Sequence, residues 1–185
     1  MKLKNKKSAR YIFLPVLTAG IAILVLLTPV LSTAAADSPN YRIDSRVNSY
    51  EIGYFKEDGI WYCISRRPEK HKNGEVYASG TTGGIRKAVI PALVKHDGKK
   101  YDVAGVNDWG FYDDQELESV TIEEGVKILG KAAFSHCNNL KKVKLADSIN
   151  EAGIETFEQC GLLEEANIPD SLKEIPKKMF YECIR

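Results

Sequence analysis

Phenylalanine recurs at Phe111, Phe134, Phe157 and Phe180, a constant step of 23 residues. Cys137, Cys160 and Cys183 keep that step, with Asp114 in the same slot of the preceding unit. So do Leu117, Leu140 and Leu163, then Val120, Val143 and Ala166, and then Ile122, Leu145 and Ile168. Val126, Ile149 and Leu172 form another column, and Gly130, Gly153 and Pro176 one more. A unit this short cannot bury both of its apolar sides alone. Stacked in register, successive units bury their Leu, Val, Ile and Phe columns in one continuous core, so the period predicts a stack of coils.

Each unit has two halves. The L-x-x-V-x-I/L half alternates apolar and polar residues, as a half-buried strand does, which turns Thr121, Lys144 and Asn167 outward. The other half, for example "INEAGIETFEQC", is mixed, and its F-x-x-C ending suits a short helical or 3₁₀ turn. The Gly130, Gly153 and Pro176 column marks a bend between the halves. The pattern extends back to "IRKAVIP" at 85–91, with Ile85, Ala88 and Ile90 in the strand columns. It is interrupted by "KHDGKKYD", where Asp97-Gly98 reads as a hairpin turn. The array breaks off inside a unit at Arg185, which predicts a fragment or a truncated product.

Residues 37–84 lie outside the period. "YEIGYFKEDGIWYCIS" alternates around Asp58-Gly59 as a β-hairpin, "RRPEKHKNGE" is a charged loop with a turn at Asn73-Gly74, and "VYASG" reads as a strand. This region is expected to be an N-terminal β cap shielding the first strand of the array, which runs over 85–185.

Residues 1–36 read as a targeting segment. They combine basic "MKLKNKKSAR", an uncharged apolar run at 11–31, and Ala34 and Ala36 in A-x-A spacing. That is the pattern of a signal peptide cut after Ala36; the run is also long enough to anchor in a bilayer if left uncut. Either outcome predicts an exported body, secreted or at the cell surface, with contact to the membrane only through 11–31. The segment holds five of the 26 basic groups, leaving 21 against 25 acidic ones in the body. A mildly acidic body gives no electrostatic reason to bind nucleic acid.

The reactive residue types divide by column. "FSHCNNL" at 134–140 sets Ser, His and Cys side by side, but Cys137 shares its column with Cys160 and Cys183. A cysteine repeated in one environment reads as a small buried filler, with Ser135 and His136 as outward, variable positions. A catalytic nucleophile would need a base held against it and an oxyanion pocket. The stacked Cys137, Cys160 and Cys183 are expected as free thiols: stacked coils bring equivalent residues within bridging distance, but their parallel side chains disfavour the disulfide dihedral, and Cys63, in the N-terminal hairpin, has no obvious partner. "DDQELE" at 113–118 lacks the spaced ligands of a calcium loop and reads as a solvated turn. "TTGG" at 81–84 has no P-loop lysine and reads as a connector. His71 and His96 are expected in solvent. Trp61, Tyr62, Trp109 and Tyr112 are expected to serve packing or capping. No catalytic residue, metal site or cofactor is expected. After each Leu column the charges run Arg86-Lys87, Glu118-Ser119, Lys141-Lys142 and Glu164-Glu165, a sign that alternates from coil to coil and sets opposite charges beside one another.

The units "LESVTIEEGVKILGKAAFSHC", "LKKVKLADSINEAGIETFEQC" and "LEEANIPDSLKEIPKKMFYEC" resemble the BspA-type leucine-rich repeat. The resemblance implies an α/β leucine-rich-repeat solenoid with parallel strands on one face and short helical or 3₁₀ turns on the other. It also implies a non-catalytic role in adhesion or protein recognition. A protein or glycoprotein partner is expected on the outward strand residues Lys87, Val89, Ser119, Thr121, Lys142, Lys144, Glu165 and Asn167. The alternative is a targeting module of a larger surface enzyme whose catalytic domain lies beyond residue 185.

Overall fold

The computed structural model describes residues 53–184. The expected signal or anchor segment at 1–36 and the start of the 37–84 region lie outside them. β1 (Tyr54–Glu57) and β2 (Ile60–Arg66) form a hairpin, and β3 (Gly74–Thr81) follows. β4 (Lys87–Ile90) opens the array, and β5 (Leu93–His96) and β6 (Lys99–Val106) make a second hairpin. From there two coils each contribute one strand to each of two sheets, β7 (Ser119–Ile122) and β8 (Ile128–Leu129), then β9 (Lys142–Lys144) and β10 (Glu151–Ala152), and the last coil adds β11 (Glu165–Ala166) to the first sheet alone. The first sheet is wholly parallel, in the order β4, β7, β9, β11. The second runs β1, β2, β3, β6, β8, β10, parallel from β3 onward, with β5 antiparallel on β6. The result is a β-solenoid of about four coils, 85–116, 117–139, 140–162 and the coil from 163.

The two hairpin turns follow their sequences. Asp58 and Gly59 have φ of 49° and 77°, and Asp97 and Gly98 have 48° and 72°, the doubly positive pair of the tightest hairpin connection. The turn expected at Asn73-Gly74 lies elsewhere. A bridge between Glu69 and Lys72 closes the loop earlier, and Gly74 begins β3. Gly74 is needed for space, because a Cβ there would stand 2.3 Å from the Tyr101 ring.

The expected helical half is corrected. Among the described residues there is no α-helix and no 3₁₀-helix; each unit instead holds single i→i−3 turns, such as Tyr112 N–H to the Trp109 carbonyl and Cys137 N–H to the Phe134 carbonyl. Two left-handed positions recur in every unit: Trp109, Ala132, Glu155 and Lys178 have φ of 50–64°, as do Asp113, His136, Gln159 and Glu182. Such residues interrupt any right-handed helical run. The freed N–H groups point along the stack instead. Trp109, Phe111 and Asp113 donate to the carbonyls of Lys131, Ala133 and Ser135, and Ala132, Phe134 and His136 donate to those of Ile154, Thr156 and Glu158. The turns are thus a third inter-coil ladder.

The columns form the core. Phe111, Phe134 and Phe157 are each no more than 1% exposed, and their rings stack at 5.0 and 5.4 Å, with Phe180 a further 5.5 Å on. Gly130 and Gly153 sit where neighbouring backbones touch: a Cβ would lie 2.4 Å from the Asp108 nitrogen at one and 2.4 Å from the Lys131 nitrogen at the other. The N-terminal hairpin buries Phe55, Ile60 and Tyr62 in the same core. Its pairing differs from a shield over the first array strand: β2 pairs with β3 in the second sheet, while β4 is the terminal strand of the first.

Candidate functional site: the parallel strand face

The first sheet points alternate residues in opposite directions. Ala88, Ile90, Val120, Ile122 and Val143 face the core, each no more than 3% exposed. The outward residues fall in rows. Lys87 lies beside Ser119, Ser119 beside Lys142, and Lys142 beside Glu165. Val89 lies beside Thr121, and Thr121 beside Lys144. Neighbouring strands are about 4.8 Å apart, so these seven residues share one surface. Val89 is 51% exposed, Ser119 and Thr121 are half-buried, and the lysines and Glu165 are exposed.

Asn167 stands just beyond β11, in line with the second row, and its side chain is committed. Its Oδ1 accepts from the Leu145 N–H at 2.7 Å, and its Nδ2 donates to the Leu145 carbonyl at 2.8 Å. The amide thus continues the ladder where backbone pairing has stopped. Sequence reading placed Asn167 outward but gave no sign of this stitch, which depends on the spacing between coils.

The alternating charges meet as pairs on this side. The Arg86 guanidinium donates to the Glu118 carboxylate, which holds that carboxyl below its usual range, with Lys141 and Lys87 adding to the effect. Lys142 reaches Glu165 at 3.0 Å. Both pairs are exposed, so they set register more than they stabilise.

The reactive residue types are structural. The Cys137 thiol donates to the Phe111 carbonyl at 3.0 Å, Cys160 to Phe134 at 3.1 Å, and Cys183 to Phe157 at 3.1 Å. The column is therefore a donor ladder as well as a filler. Burial pushes the Cys137 thiol up to about 12, the wrong direction for a nucleophile. Ser135, expected outward, is 1% exposed, with its hydroxyl 2.8 Å from His136 Nδ1. His136 occupies a left-handed turn position, φ 64°, and packs against Tyr112.

The remaining candidates resolve similarly. Asp114, in the cysteine slot, accepts from the Glu116 and Leu117 N–H groups and from the Thr81 hydroxyl, so "DDQELE" caps a turn and is more than a solvated run. His96, expected in solvent, stacks on Phe55 at 4.2 Å and meets Glu57 at 2.8 Å. Tyr62 is 1% exposed in the core. Trp61 and Trp109 lie half-buried beneath Lys56 and Lys131. All four cysteines are free thiols.

Known structures share this architecture. A leucine-rich repeat protein from Bacteroides capillosus superposes with a TM-score of 0.54 at 24% identity, over 65% of this chain and 86% of that one. A leucine rich cell surface protein from Faecalibacterium prausnitzii gives 0.57 at 26% identity, over 71% of this chain. The match spans 34% of the Faecalibacterium protein's length. The leucine-rich repeat protein of T. pallidum gives 0.54 at 20% identity, over 71% of this chain and 68% of that one. No curated protein matches the sequence. The family model for the BspA type leucine rich repeat region matches residues 103–185. Residues 103–185 are therefore BspA-type leucine-rich repeats.

Proposed function

We propose that the protein is a non-catalytic recognition module, secreted or held at the cell surface, which binds a protein or glycoprotein through the parallel strand face. The supporting observation is the division of labour within each unit. The inward columns and the turns are consumed by packing and inter-coil hydrogen bonds, whereas Lys87, Val89, Thr121 and Lys144 project from a rigid ladder. Side chains carried on a fixed backbone lose little backbone entropy on binding. The leucine rich cell surface protein among the similar structures supports the exported setting.

The test is an array of extracellular proteins probed with the full chain and with a Lys87→Ala/Thr121→Ala/Lys144→Ala variant. A bound partner should be lost by the variant while its melting temperature stays that of the parent. A partner bound equally by both would place recognition elsewhere.

A further inference from the structure

The second sheet is apolar on both faces. Its inward row runs Tyr62, Ala78, Val106 and Leu129 across β2, β3, β6 and β8, and all four belong to the solenoid core. The residues adjacent to these in sequence point the opposite way and form a second row: Tyr54, Cys63, Tyr77, Gly105 and Ile128. A sheet face left in water carries polar residues in such places. Here Cys63 is 2% and Tyr77 7% exposed, a buried cluster of their own outside the main core. Among the described residues, the apolar groups packed on the pair are Tyr54, Ala104 and Ile128, all half-buried. They lie beside the pair within the sheet, on β1, β6 and β8. In-plane neighbours shield the flanks of a side chain; burial this deep needs a cover laid over the row.

Residues 37–52 lead into Gly53 and Tyr54, the head of that row. Gly53 is tied to the sheet, its carbonyl accepting from the Ile64 N–H at 3.0 Å. Upstream, Tyr41, Ile43 and Val47 fall on alternate positions, with Arg42, Asp44, Arg46 and Asn48 on the others. That is the pattern of an extended segment with one face in water. Asn48-Ser49 are turn formers, placed where the chain would double back over the sheet. The row from Tyr54 to Ile128 crosses β1, β2, β3, β6 and β8, a width of about 19 Å. Residues 41–47, extended, span about 23–25 Å.

We propose that residues 41–47 form a strap across the outer face of the second sheet, with Tyr41, Ile43 and Val47 seated on Cys63, Tyr77 and Ile128. The link between the targeting segment and the repeats is then part of the folded body. The strap closes one sheet face and leaves the face of the first sheet as the open one. It needs no partner on the first sheet, and its test reads the unbound chain.

The test is iodoacetamide labelling of Cys63 in the native full chain, read by mass spectrometry, for the parent and for Ile43→Asp/Val47→Asp. Lifting the strap exposes the thiol, so the variant should label at Cys63 about tenfold faster or more, while Cys137 and Cys160 stay protected and report an intact solenoid. Arg42→Ala/Arg46→Ala, on the water side of the strap, should label like the parent. Single Tyr41→Cys, Ile43→Cys and Val47→Cys variants supply a second readout should the Asp variant fail to fold. With oxidised glutathione, at least one of them should form a disulfide to Cys63 within the monomer. Rapid labelling of Cys63 in the parent would mean an open face, and equally slow labelling in the folded Asp variant would mean a different cover; either overturns the strap, as would the absence of a Cys63 disulfide in all three cysteine variants. Covalent dimers through Cys63 would make a second copy the occupant and overturn it equally.

Discussion

The Cys160 thiol donates to the Phe134 carbonyl at 3.1 Å, joining residues 26 apart in sequence and one coil apart in space. Cys160 is fully buried, and its loss leaves the Phe134 carbonyl with only the longer bond from the Cys137 N–H, at 3.4 Å. Cys160→Ala should lower stability by about 0.5–1.5 kcal/mol, the net worth of one hydrogen bond, read as a shift in the urea midpoint. An unchanged midpoint would reduce the thiol to a filler.

Thiol reactivity should follow the same column. Cys63, Cys137 and Cys160 are no more than 2% exposed, and Cys183 is half-buried. The contact with Cys160 pulls the Cys183 thiol down, toward its reactive thiolate form, and pushes Cys160 up. In native protein near neutral pH, iodoacetamide should therefore label Cys183 first, and mass spectrometry should find all four labelled only after unfolding. Fewer than three free thiols under denaturing conditions would contradict the account of the column.

Asn167 should behave unlike the rest of the strand face. Asn167→Ala removes two hydrogen bonds to Leu145 and should cost about 1–3 kcal/mol of stability. Lys142→Ala and Glu165→Ala break an exposed pair and should stay within about 0.5 kcal/mol of the parent. Thermal melts of the three variants separate a stitch from a surface charge.

Gly153→Ala should be tolerated poorly. The added Cβ would meet the Lys131 backbone at 2.4 Å, and backbone cannot rotate away as a side chain can. Overpacking of this kind costs about 1–3 kcal/mol. A melting temperature equal to the parent's would show that the coils can part there without loss.

Much of this was legible in the sequence because a repeat reports its own environments. Phe157 and Cys160 are buried for the same reason as Phe134 and Cys137, and one column predicts the next. The outward set on β4, β7 and β9 followed from period-2 alternation. The turns were harder. "IETFEQC" carries no glycine to announce that Glu155 and Gln159 both have positive φ, so its spacing resembled a helical turn. Ser135 was read as outward because its column varies, yet it is buried beside His136. His96 looked solvated within a charged stretch, because its partners Phe55 and Glu57 are about 40 residues earlier. The stitch from Asn167 depends on the distance between coils, which alternation and period leave open.

The assignment of columns is tested most directly at Phe157, whose ring is fully buried and stacks between Phe134 at 5.4 Å and Phe180 at 5.5 Å. The measurement is the unfolding free energy of Phe157→Ala from urea titration. A buried stacked ring predicts a loss of about 3–5 kcal/mol; a midpoint equal to the parent's would contradict the continuous core on which the solenoid and its outward face depend.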